Sequence, residues 1–187
     1  MIKMISRDEA VELLKKHITT PNLLKHVYAV EAIMRGLAKH LSENEELWGL
    51  VGLLHDLDYE KTKDTPEQHA KITVELLKDT LPPEALHAIQ AHNFEYTGMM
   101  PETKLDNALI AADALSGFII AAALVMPNKK LAEVRIKTLK KKFRDKTFAR
   151  GTGRDRIRRC ELIGLDLPTF FEIGLIALQG IADTLGL

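Results

Sequence analysis

Cysteine is nearly missing from this chain: among 187 residues there is one, Cys160. No internal disulfide can close, and no thiolate cluster exists to build a zinc finger or an iron–sulfur site, so a reducing cytoplasm is the expected setting. Net charge is missing as well, because 26 lysines and arginines balance 26 aspartates and glutamates. No overall field then steers the protein to nucleic acid or anionic lipid. Period-two runs of β-branched and aromatic residues are scarce, which argues against strands. The opening Met1-Ile2-Lys3-Met4-Ile5-Ser6-Arg7-Asp8-Glu9 becomes charged at once and lacks the apolar run of a secretory signal, so no targeting segment is expected. Repeats and low-complexity linkers are also absent, and the length suits one domain spanning residues 1–187.

What is present is helix signal from end to end, and the expected class is all-α. Ser6 and Glu9 have the spacing of a capping box ahead of Ala10, Leu13, Leu14 and Ile18 at helical period. Pro21-Asn22 opens a second helix with a stripe of Leu23, Val27, Val30, Ile33, Met34 and Leu37, and His26 sits in its first turns. Ser42 to Glu45 reads as another capping box, before a largely buried helix that runs into His55-Asp56. Beyond an irregular Asp58–Pro66 stretch, helices are expected from Pro66 through His69 and from Pro82-Pro83 through His87 and His92, with a loop at Asn93–Pro101. A basic helix from Pro127-Asn128 through Lys142, a loop at Arg150–Arg154 and helices near 155–163 and 167–185 complete the chain. The apolar stretch Leu109–Met126 contains Asp113. An unpaired aspartate in mid-membrane costs about 2.5–3.5 kcal/mol, so a buried central helix is the better account than a membrane span.

Asp113 is the residue that demands explanation. Its neighbours Leu109, Ile110, Ala111, Ala112, Ala114 and Leu115 predict a carboxylate buried on every side, and an unpaired buried charge costs several kcal/mol. It needs a cation, a proton or an arginine. Leu53-Leu54-His55-Asp56 places two strong metal-binding side chains at the end of an apolar helix, where both reach one ion only near the terminus. Alone, the dipeptide reads equally as a histidine on a helix dipole, and His26 alone as a core histidine. Together, imidazole and carboxylate from three helices suit a divalent ion such as manganese, iron, zinc, magnesium or nickel.

His26, then Leu-His-Asp at 54–56, then Asp113 in Ala-Ala-Asp-Ala resembles the HD superfamily of metal-dependent phosphohydrolases. The resemblance covers about residues 20–125 and implies an all-helical HD core, with residues from about 128 to 187 as a helical extension. It implies His26, His55, Asp56 and Asp113 as metal ligands. Glu67-Gln68-His69-Ala70-Lys71 and Ala91-His92-Asn93 resemble the segments that complete a second site in many members, which adds His69 and His92 with Asp56 bridging; His87 is a weaker candidate. The expected activity is hydrolysis of a phosphate ester or nucleotide by a metal-activated water, with Asp56, His55 and Glu95 as the catalytic set and Asp58 a further acid–base candidate. The partner expected is a small, nucleotide-like phosphorylated substrate rather than a membrane or a nucleic acid, and a homo-oligomer is compatible.

The sequence departs from its relatives at His55-Asp56-Leu57-Asp58, where His-Asp-Ile-Gly is frequent, and at Gly98-Met99-Met100-Pro101, which lacks the Gly-Tyr-Pro of cyclic dinucleotide phosphodiesterases. The basic run Lys129–Arg159 reads mostly as a solvated face. Within it, Arg150 and Arg154 flank Gly151 and Gly153 in a loop able to wrap an anion, and Lys104 is a further candidate phosphate contact. The rival readings are a catalytically silent nucleotide-sensing or scaffold module with the same fold, and a nucleic-acid-binding helical protein.

Overall fold

The computed structural model describes residues 2–187; Met1, where the N-terminal reading begins, lies outside them. The helices are α1 (Arg7–His17), α2 (Pro21–Leu41), α3 (Glu45–Leu54), α4 (Tyr59–Thr62), α5 (Lys71–Leu77), α6 (Pro83–Ala91), α7 (Phe94–Thr97), α8 (Lys104–Leu124), α9 (Ile136–Arg144), α10 (Arg154–Ile157), α11 (Leu167–Gln179) and α12 (Ala182–Leu185), with short 3-10 turns between some of them. No strand occurs among the described residues, so the class is all-α.

Local chemistry accounts for most boundaries. The Ser6/Glu9 capping box forms, with both reciprocal bonds made, and Pro21 stands at the first position of α2. The second expected box does not form. Ser42 instead takes a left-handed conformation at φ 58°, and the Glu43 N–H reaches back to the Ala38 carbonyl at 2.8 Å, which terminates α2 in the manner of a Schellman turn. The cap of α3 therefore falls to Asn44, whose side chain accepts from the Leu47 N–H at 3.0 Å. The helix expected from Pro127 also starts late: Glu133 gathers the N–H groups of Asn128 and Lys130 into a turn, and the helix begins at Ile136.

At the centre lies α8, opened by a capping box between Thr103 and Asp106. It packs against α2 and α6, which precede it, and against α10 and α11, which follow it. Of its candidate membrane window, 72% is buried within the protein, as a core helix requires. Close approach between helices depends on two glycines. A Cβ on Gly52 would stand 2.9 Å from the Val30 carbonyl oxygen, and one on Gly174 2.5 Å from Leu115 Cδ2. The first presses α3 onto α2 and brings the end of α3 beside His26. A buried glutamate, Glu31, secures the outer face of this pair by accepting from Arg7 at 2.7 and 3.0 Å and from Arg35 at 3.0 Å.

Candidate metal centre

His55, His69 and His92 of the cluster are each aimed by a helix end or break, while His26 projects from within α2 and Asp113 from within α8. His55 caps α3, and its Nδ1 lies 2.7 Å from the Gly52 carbonyl. His92 caps α6 in the same way, with Nδ1 bonded to the Ile89 carbonyl. His69 lies in no helix, contrary to expectation: a 3-10 turn at Pro66–Gln68 ends on it, and Ala70 at φ 75° breaks the chain before α5. The cause is Asp58, whose buried carboxylate accepts from His69 Nδ1 at 2.7 Å, Ala70 N at 3.2 Å and Thr73 N at 2.8 Å. It caps α5 from a distance and sets the His69 ring at once. The Ser116 hydroxyl donates to the Asp113 carbonyl at 2.7 Å, leaving its oxygen to receive His26 Nδ1 at 3.4 Å.

With all four Nδ1 atoms committed, the four Nε2 atoms turn inward. Asp56 stands between them. Its Oδ2 is 3.3 Å from His26 and 3.4 Å from His55, while its Oδ1 is 3.2 Å from His69 and 3.4 Å from His92. Asp113 Oδ1 adds contacts of 3.0 Å to His26 and 3.7 Å to His55. Two sets of donor atoms are compact enough to hold an ion, His26/His55/Asp113 and His55/Asp56/His92. The chemistry of the donors fits a cation: His55 Nε2 is buried with no hydrogen-bond partner, and His69 and His92 turn ring nitrogens on each other at 3.0 Å. An inward lone pair backed by an Nδ1–H bond is how ligating histidines are held. The Asp113 carboxylate is not enclosed as expected; its side chain is 24% exposed, because it opens onto a cleft.

Electrostatics point the same way. Burial works against charge on His26 and His69, yet Asp113 and Asp56 raise the first to about 10, and Asp56 and Asp58 raise the second to about 9. Burial pulls His92 down. Burial likewise opposes ionisation of Asp56 and Asp113, but the surrounding histidines hold both far below the usual carboxylate range. A divalent ion among these donors would satisfy the same carboxylates.

The cleft has a volume of about 1100 Å³, and Asn22, Tyr59, Glu95, Tyr96 and Arg156 line it beside the cluster. His26, His55, Asp56, His69, His92 and Asp113 come together in one place. Glu95 is on the cleft wall, paired with Arg156 at 2.7 Å rather than set among the ligands. The three phosphate-contact candidates are elsewhere. Lys104 faces Glu43 at 3.5 Å, Arg150 is exposed and lines no part of the cleft, and Arg154, expected to help wrap an anion, spends its guanidinium on the carbonyls of Lys142, Phe143, Asp145, Phe148 and Ala149, stitching its own loop together. His87 sits against Asp106, away from the cluster, and Asp58 is too enclosed to reach a substrate. Sequence reasoning passed over Arg156, two residues beyond Arg154, and the aligning role of Asp58, for which the departure from glycine at that position was the available signal.

A helical core brings four imidazoles and two carboxylates to one point, a donor set able to hold a metal ion. The family model of the HD domain matches residues 23–117, half of the chain, and the protein belongs to that family, part of a metal-dependent phosphohydrolase superfamily. Among curated proteins it is similar to Ribonuclease Y of Desulforudis audaxviator (strain MP104C), 36% identical over 96 residues, and to Ribonuclease Y of Acholeplasma laidlawii (strain PG-8A), 34% identical over 96 residues. Each alignment covers 51% of this chain but 18% of the relative. No solved structure matches significantly.

Proposed function

We propose that this protein hydrolyses a phosphate ester or nucleotide at a centre for divalent cations. His26, His55 and Asp113 would hold one ion and His69 and His92 a second, with Asp56 shared. The observation that carries this reading is the division of Asp56, one oxygen toward His26 and His55 and the other toward His69 and His92. Bound divalent ions lower the pKa of a water and neutralise charge on phosphoryl oxygens. The chain's own residues supply the rest. The Nδ1 bonds of His55, His69 and His92 fix which nitrogen faces inward, Asp58 keeps the His69 ring from turning, and the cleft admits a ligand of nucleotide size beside Tyr59 and Tyr96.

The test is elemental analysis of the purified protein together with turnover of p-nitrophenyl phosphate, bis-p-nitrophenyl phosphate, nucleoside phosphates and a short RNA, the last because the curated relatives are named ribonucleases. Wild type should carry metal and turn over part of this panel. Asp56→Ala should lose more than about 100-fold in activity, beyond what changes in outer-shell partners usually cost. A metal-free wild type, or undiminished activity in Asp56→Ala, would overturn the reading. Nucleotide bound without turnover under any divalent ion would instead mark a silent sensing module.

A further inference from the structure

The family match ends at residue 117, yet one wall of the cleft comes from α10, some forty residues beyond it. There Arg156 points across to α6 and α7. Its Nη1 donates to Glu95 Oε1 at 2.7 Å, its Nη2 donates to the His92 carbonyl, and its guanidinium lies 5.7 Å from the centre of the Phe94 ring. Arg159 steadies the same ring from 4.9 Å while bonding to Asn107 at 2.8 Å. Gly153 makes room for the arm: a Cβ there would meet Arg156 Cδ at 3.3 Å, and its φ of 70° starts α10 in a conformation glycine favours.

Three facts converge on one role. Arg156 is the one lysine or arginine among the described residues lining the cleft. An arginine carries five N–H donors, and only two of these have acceptors here. One of those bonds ties it to the carbonyl of His92, whose ring faces the candidate metal cluster, and the other to Glu95, so the guanidinium is held still on the wall of the same cleft. A fixed guanidinium with free donors is a preformed receptor for phosphate oxygens, and its bidentate geometry suits them.

We propose that Arg156 is the anion-binding residue of this cleft, contributed by the C-terminal extension, and that Glu95 is its counter-ion, occupying part of the fork until a phosphate competes for it. The inference rests on the proposed function only in taking the substrate to be a phosphate. It assigns the anion contact to Arg156, and makes Glu95 a modulator of affinity rather than a proton carrier.

The experiment is a calorimetric titration of inorganic phosphate into the whole chain as purified. Arg156→Ala should weaken phosphate binding about tenfold relative to wild type, and Arg156→Lys should fall between, since lysine keeps the charge and loses the fork. Glu95→Gln should tighten binding severalfold. Elemental analysis should find the same metal content in Arg156→Ala as in wild type. Unchanged phosphate affinity in Arg156→Ala overturns the proposal, as does loss of metal from that variant, which would make Arg156 a support for His92 alone. Should Arg156→Ala fail to fold, Arg156→Lys and Glu95→Gln still must shift in opposite directions; affinities equal to wild type in both overturn it. A wild type without metal or turnover sinks the hydrolase reading and leaves the phosphate titration standing on its own.

Discussion

Asp58 never faces the cleft, yet it governs the His69 ring and the start of α5 together. Asp58→Ala should therefore weaken metal binding by about 10–100-fold, the usual cost of removing such a partner, while α5 frays; chelator competition and circular dichroism would read the two effects. Cys160 behaves oppositely, as a residue without chemistry. Burial raises its thiol to about 12, so iodoacetamide at pH 8 should leave the folded protein unmodified and label it only in denaturant. At this scale much was legible in the sequence, because His55-Asp56 after an apolar run and Asp113 inside one are anomalies that composition exposes. Arg156 was not. Among so many basic neighbours nothing local distinguishes it from Arg154, and only the packing of α10 on α8 decides which of them reaches the cleft.

Helices bring the ligands together by how they meet. Gly52→Ala would drive a methyl group into the α2 backbone, with contacts of 2.9 and 3.0 Å, so the variant should lose about 1–3 kcal/mol in thermal or urea unfolding. The entry to α2 is held by Glu60, which accepts from the Thr19 N–H at 2.9 Å and the Thr20 N–H at 2.7 Å and so ties the segment after His55-Asp56 to the helix that bears His26. Those bonds, chiefly the one from Thr20, lower its pKa from 4.5 to about 2. A depressed carboxylate stabilises the fold above its unfolded pKa and ceases to as pH falls through the folded one. Glu60→Gln should therefore be less stable than wild type at pH 7, with the gap closing between pH 4.5 and 2 in urea midpoints. Helix existence was legible from period and from Ser6 or Pro21; the break at His69 was not, because the carboxylate responsible is eleven residues away in sequence and belongs to another turn.

Over the whole molecule, charge is sorted although its sum is zero. Residues 129–159 hold 14 lysines and arginines against three acids, so the remainder carries the balancing excess of acids. The acid-rich remainder contains the His/Asp cluster able to hold a metal ion. Chelation should accordingly lower the melting temperature of protein purified with its metal, and re-addition at a hundredfold excess over Kd should restore about 2.7 kcal/mol; scanning calorimetry with and without EDTA would show it.

The central position of α8 also bears on how the chain is made. Part of this long apolar helix is covered by α2 and α6, which precede it, and part by α10 and α11, which follow. During N-to-C synthesis the part covered by the later helices stays bare until some fifty further residues have emerged, the interval from Leu124 to Gln179. A nascent chain at that stage displays a sticky apolar rod, so a version cut after residue 126 should aggregate even though it contains every residue the family model matches.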